Sequence, residues 1–137
     1  SVFSIGTSTD VNANTGTYVA YCFAPIAGYS AFGSYVANNV SDGPFVYCGF
    51  RPRWVLFKCL IAADWEVYDT SRSTYNVMGE ELRPNTTDGP NGATQTSVDF
   101  LSNGFKLRAV GGDPNYSTNT YIYAAFAENP FNYSLAR

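Results

Sequence analysis

Histidine is absent from all 137 residues, and that absence closes off much of enzyme chemistry. Zinc sites of the usual kind, Ser-His-Asp triads and Cys-His pairs all need an imidazole. Charge is scarce as well: charged residues make up 14% of the chain, and 11 acids against 8 bases leave a net charge of -3. No run of either sign would neutralise a phosphate backbone or an anionic bilayer, so neither nucleic acid nor membrane insertion is expected. No apolar stretch approaches the roughly 20 residues of a membrane span. No basic segment precedes an apolar one at the N-terminus, and Ser1 in place of Met points to a processed chain or a fragment.

Cysteine is sparse and odd in number. Cys22, Cys48 and Cys59 show no CxxC spacing, and each sits in an apolar, strand-like run. Small buried thiols used as hydrophobes are the favoured reading, with a disulfide pair plus a leftover as the alternative. Four N-x-S/T sequons occur, at Asn39, Asn85, Asn115 and Asn132. A chain this rich in Asn, Ser and Thr produces them by chance, so they carry no argument for glycosylation.

What is abundant is aromatic: 17% of the residues are Phe, Tyr or Trp, set among Gly, Asn, Ser and Thr. Aromatic and β-branched side chains fit a pleated surface, and Gly and Asn accept the positive φ of tight turns. The length suits one domain, with residues 1–16 as a polar N-terminal linker and 17–137 as the folded part. Strands are predicted at Thr17–Ala24, Phe45–Phe50, Trp54–Ile61, Trp65–Asp69 and Tyr121–Phe126. Trp54–Ile61 is apolar on both faces and therefore central. In Trp65–Asp69 the alternation sets Trp65 and Val67 against Glu66 and Tyr68, with Glu66 on the solvent side, and both tryptophans are expected in the core. The Asn103-Gly104 step between Val98–Leu101 and Gly104–Arg108 is the strongest hairpin signal, with Phe105 and Leu107 inward. Thr17–Ala24 echoes Thr120–Ala127, read as two similar strands lying side by side. Short strands at turn-rich intervals predict an all-β fold, an antiparallel β-sandwich of jelly-roll or lectin-like type.

Four ordered motifs carry a resemblance: Gly49 to Val55 (GFRPRWV), Trp65 to Arg72 (WEVYDTSR), Asp99 to Arg108 (DFLSNGFKLR) and Tyr121 to Phe131 (YIYAAFAENPF). Together, over roughly Thr17 to Phe131, the chain resembles a β-domain of uncharacterised function that recurs in tail-fibre and tail-associated proteins of tailed bacteriophages. That resemblance implies a virion component, extracellular and non-enzymatic, commonly a homotrimer that meets other virion proteins and a host-surface glycan or protein. It carries no catalytic residue and no cofactor, because the shared motifs read as structural.

Among the polar residues, Asp64, Glu66 and Asp69, or Glu80 with Glu81, are the acids to weigh as a glycosidase pair. The solvated-acid reading is preferred, since acids outside a cleft lack the pKa tuning that catalysis needs. The turns Asp88-Gly89-Pro90-Asn91 and Asp113-Pro114-Asn115 offer oxygen ligands for calcium but lack EF-hand spacing, so no metal is expected. The contact candidates are Tyr29, in the Gly-rich stretch 28–35, and Tyr75 and Tyr116 with Asn85, Asp88, Asn91, Asp113 and Asn115, which lie in the loops 73–96 and 111–119. There a tyrosine ring stacks on a sugar while Asn and Asp bind its hydroxyls. Rings that plug loops or meet a neighbouring subunit are the competing explanation. The expected function is thus a virion module contributing to host attachment. Its alternatives are a lectin-like module outside a virion and a tail-associated polysaccharide hydrolase.

Overall fold

The computed structural model describes residues 2–90 and 97–130. Among these residues a four-residue helix α1 (Thr9–Asn12) is followed by seven strands: β1 (Ser30–Val36), β2 (Phe45–Tyr47), β3 (Pro52–Cys59), β4 (Trp65–Asp69), β5 (Val98–Leu101), β6 (Gly104–Leu107) and β7 (Thr120–Ala127). They form two antiparallel sheets, β1-β7-β3-β4 and β2-β6-β5. The sheets pack face to face as a β-sandwich, the predicted fold class.

The core follows from strand alternation. Val55, Phe57 and Cys59 of β3 point inward and are buried, and Phe105 and Leu107 of β6 meet them from the other sheet. Phe57 and Phe105 pack edge to face at 5.2 Å between centroids, and Tyr35 of β1 also meets both rings edge-on. Such aromatic pairs add about 0.5–1.5 kcal/mol beyond the area they bury. β3 lies between β7 and β4, as its two apolar faces require.

The β5–β6 hairpin forms where predicted, with Leu101 opposite Gly104, so the two loop residues are Ser102 and Asn103. Gly104 is therefore the first residue of β6, and its glycine serves close packing rather than the turn. A Cβ there would stand 2.1 Å from the carbonyl oxygen of Val46 on β2. Gly104→Ala is expected to cost about 3 kcal/mol, seen as a melting temperature lower by roughly 10 °C. Gly49, between β2 and β3, has φ +80 and so needs glycine for its backbone alone.

Several expectations are corrected. Thr17–Ala24 is not a strand: it runs exposed, and β7 takes β1 and β3 as neighbours instead of this segment. The strand next to it in sequence, β1, begins only at Ser30. Cys22 is accordingly exposed, while Cys59 is buried and Cys48 half-buried, and all three thiols are free. Burial pushes the Cys48 thiol up to about 12. The tryptophans are not core residues, because β3 turns Trp54, Leu56 and Lys58 to the outer face. Trp65 follows, lying opposite Lys58 in the β3–β4 register, and stays 40% exposed. By the same register Glu66 faces Phe57 and Tyr68 faces Val55, so both enter the interior and Glu66 is only 2% exposed. The predicted solvent side of β4 is its buried side.

Candidate functional site

The outer face of the four-stranded sheet is apolar over much of its breadth. Trp54 leans on Phe126 at 5.6 Å, Phe126 meets Phe32 and Tyr29 edge-on, and Phe23 stacks on Phe32 at 5.8 Å. At the β4 side this face opens into a groove of about 530 Å³ floored by Trp54, Leu56 and Trp65. Its polar rim is Asp69, Arg72 and Asn85. A second, more apolar recess of about 320 Å³ adjoins it between Trp65, Leu56 and Ile122 on one side and Phe23 and Phe32 on the other. Trp65 borders both.

The rim is built by turn chemistry. Asp69 ends β4 and accepts the amides of Ser71 and Arg72 at 2.9 Å on one carboxylate oxygen, while the Arg72 guanidinium holds the other. That closes an Asx turn and brings Arg72 back over the groove with its charge already balanced. Asn85, from the loop after β4, accepts the Trp65 amide at 2.8 Å and donates to Asp64 at 2.8 Å. It thus ties that loop to the exposed end of β4. The result is an aromatic floor with neutral or charge-balanced hydrogen-bonding groups along one edge.

On the inner side of β4 lies a different constellation. The Tyr68 hydroxyl donates to Glu81 at 2.8 Å and is 3.5 Å from Glu66, and Arg83 pairs with Glu81 at 2.6 Å. Asp113 stands nearby, accepting the Tyr121 hydroxyl. A cavity of about 280 Å³ is bounded by Glu66, Arg83, Asp113, Tyr116 and the 61–64 turn. Burial, with Glu81 and Asp113 adding their charge, pushes the Glu66 carboxyl up to about 8, so it holds its proton at neutral pH. Burial likewise raises the Tyr68 and Tyr35 hydroxyls, with neighbouring acids reinforcing it at Tyr68 and the Tyr121 hydroxyl at Tyr35. Among the described residues, no group of three or more Asp, Glu or Cys side chains is placed to hold a metal ion. None of their helices is long and apolar enough to cross a membrane.

The residues singled out from the sequence do not form one patch. Asn85 lies on the groove rim. Asp113 and Tyr116 border the acidic cavity. Tyr29 lies on the outer face beside Phe126, and Tyr75 protrudes, 84% exposed, from the loop after β4. Asp88 is exposed, and Asn91 lies outside the described residues. Asn115 is fully buried and is a clamp rather than a contact residue. It accepts the Asn38 amide at 3.0 Å, and its amide group lies within reach of Val40, Ala109 and Asn38 oxygens at 2.9, 3.0 and 3.2 Å. Its burial also rules it out as a glycan acceptor. The residues missed were Trp54, Trp65 and Arg72 on the groove and Arg83 inside, while Glu66 and Glu81, weighed in separate groups and read as solvated, prove to be buried together around Tyr68. The register of the β3–β4 hairpin was the signal that would have placed the two tryptophans and Glu66.

Fold and groove together define a β-sandwich domain with an open aromatic face. Residues 1–130 match the family model described as "Domain of unknown function (DUF7483)", and the chain belongs to that family. No curated protein and no solved structure matches it.

Proposed function

We propose that this domain is a non-enzymatic structural module of a bacteriophage virion, of tail-fibre or spike type, that contributes to host attachment by holding a neutral glycan. The resemblance of the four sequence motifs supports the virion setting and, with it, a homotrimer displayed outside the host. The Trp54–Trp65 groove is the observation that carries the attachment role. Sugar rings present apolar C–H faces that stack on indole, and their equatorial hydroxyls reach the rim groups Asn85 and Asp69. Because Asp69 and Arg72 already balance each other, the groove favours an uncharged ligand over a sulfated or uronic one.

A second reading, polysaccharide hydrolysis, is prompted by the Glu66–Glu81 pair, since two neighbouring carboxylates are what that reaction uses. Burial weighs against it: both acids are below 10% exposed, and the cavity that Glu66 borders, which Glu81 does not line, is about half the size of the groove. Binding of the domain to host cells decides between them. Trp65→Ala is expected to weaken binding at least tenfold, on the order of 1.4 kcal/mol or more, while the domain stays folded with only a small drop in melting temperature, because Trp65 lies outside the core. Glu66→Gln is expected to leave binding intact. Reducing ends released from capsule by wild type but not by Glu66→Gln would favour the hydrolase.

A further inference from the structure

The exposed segment before β1 repeats a piece of the sandwich itself. Set 103 positions apart, residues 6–24 and 109–127 share Asp10/Asp113, Asn12/Asn115, Thr15/Thr118, Thr17/Thr120, Tyr18/Tyr121, Phe23/Phe126 and Ala24/Ala127. The hydrogen bonds coincide at the same offset. Asn12 Nδ2 donates to the Gly6 carbonyl at 2.9 Å, as Asn115 Nδ2 donates to Ala109 at 3.0 Å. The Ala13 amide donates to the Tyr18 hydroxyl at 2.9 Å, as the Tyr116 amide donates to Tyr121 at 3.3 Å. The Gly16 amide donates to the Ala13 carbonyl at 3.0 Å, as Asn119 donates to Tyr116 at 3.5 Å. Chance similarity between two aromatic strands does not reproduce three hydrogen bonds of the loop ahead of them, even though Thr9–Asn12 is helical and its counterpart is not.

What differs is the company each keeps. In the second copy Thr120–Ala127 is β7, flanked on both edges by β1 and β3, and Asn115 also clamps Asn38 and Val40. In the first copy Thr17–Ala24 has no strand on either edge among the described residues, and nothing stands to Asn12 as Asn38 and Val40 stand to Asn115. Tyr21 is 82% exposed and Val19 and Phe23 nearly as open, while from Val11 to Ser41 the chain carries no charged side chain to protect such an edge.

We infer that residues 6–24 are the closing loop and strand of another copy of this domain. Thr17–Ala24 is there the middle strand of a four-stranded sheet, held between β1-like and β3-like strands encoded earlier in the same polypeptide. A second copy of this chain offers no such vacancy, because its own β7 already fills the place. Two sandwiches then follow each other directly, joined at the Pro25–Tyr29 turn, and Phe23 becomes a contact between them, since its ring already lies on Phe32 and Phe126. This inference stands apart from the glycan reading.

Amide hydrogen exchange on the full-length gene product tests it, with β7 peptides as the folding control. Peptides covering Thr17–Ala24 are expected to exchange as slowly as those covering Thr120–Ala127, about a thousandfold slower than in the isolated 137-residue chain. Fast exchange of Thr17–Ala24 in the full-length protein overturns the inference, as does a gene that encodes no β1-like and β3-like strands ahead of this segment. Slow exchange in the isolated chain, with its mass doubling on concentration, also overturns it, because the arm would then pair with a second copy.

Discussion

Replacing Asn115 by alanine is expected to destabilise the domain by about 4 kcal/mol, the largest effect of any polar substitution away from the core. The change strands the Ala109 carbonyl in the interior and leaves the Asn38 amide and the Val40 carbonyl without their partner at its half-buried edge. Each unsatisfied buried group costs about 1–3 kcal/mol. Asn115→Asp is expected to fare little better, since it keeps the acceptor for Asn38 but faces two carbonyls with no donor. Urea unfolding of both variants checks the size, and an unchanged denaturant slope shows that the native fold is retained.

The second large effect is one of pH. Glu66 is held near pKa 8 in the folded chain against an ordinary 4.5, so the folded state binds its proton more tightly than the unfolded state does. The stability this contributes is complete below about pH 4.5 and is lost as the pH rises through about 8. Over that window, at about 1.4 kcal/mol per pH unit, the loss is on the order of a few kcal/mol. Glu66→Gln, which cannot ionise, is expected to remove this slope and to be more stable than wild type at pH 9. Comparing the two proteins from pH 5 to 9 isolates Glu66 from the remaining acids. Parallel stability curves would show that the carboxyl is charged and accommodated throughout.

How much of this was legible in the sequence varies with the kind of signal. The β5–β6 hairpin was, because a two-residue turn fixes its own register and Phe105 and Leu107 then have only one face to choose. β3 was recognised as central from its apolar content, but that same content hid its phase. With apolar residues on both faces, nothing local says whether Trp54 or Val55 points inward. Alternation alone allows either phase, and the structure takes the one that turns Val55 inward and Trp54 outward. The β4 hairpin carries that phase onward, so one wrong choice at Trp54 placed Trp65 inside and Glu66 outside together. Both candidate sites border β4, which is why neither could be assembled from the sequence although Asn85, Asp113 and Tyr116 were among its candidates.

Thr17–Ala24 failed for another reason. Its pattern is that of a strand, and the match with β7 was noticed, but propensity specifies a strand only where a partner edge exists. The loop contacts that reveal the repeat involve Asn12 and Tyr18, whose roles are apparent only beside Asn115 and Tyr121 in three dimensions. Asn115 misled similarly: an Asn in a polar, Gly-rich loop reads as exposed, whereas its four hydrogen-bonding groups make it the residue that folds the loop inward.

The most direct test of a glycan-binding outer face is titration of the folded domain with neutral oligosaccharides from the host surface, followed through the two indole N–H resonances. The account predicts that the Trp54 and Trp65 signals and the Asn85 side-chain amide shift together and saturate, with the Asn115 amide unmoved. Shifts confined to residues around Glu66 and Asp113, with both indoles silent, would contradict it.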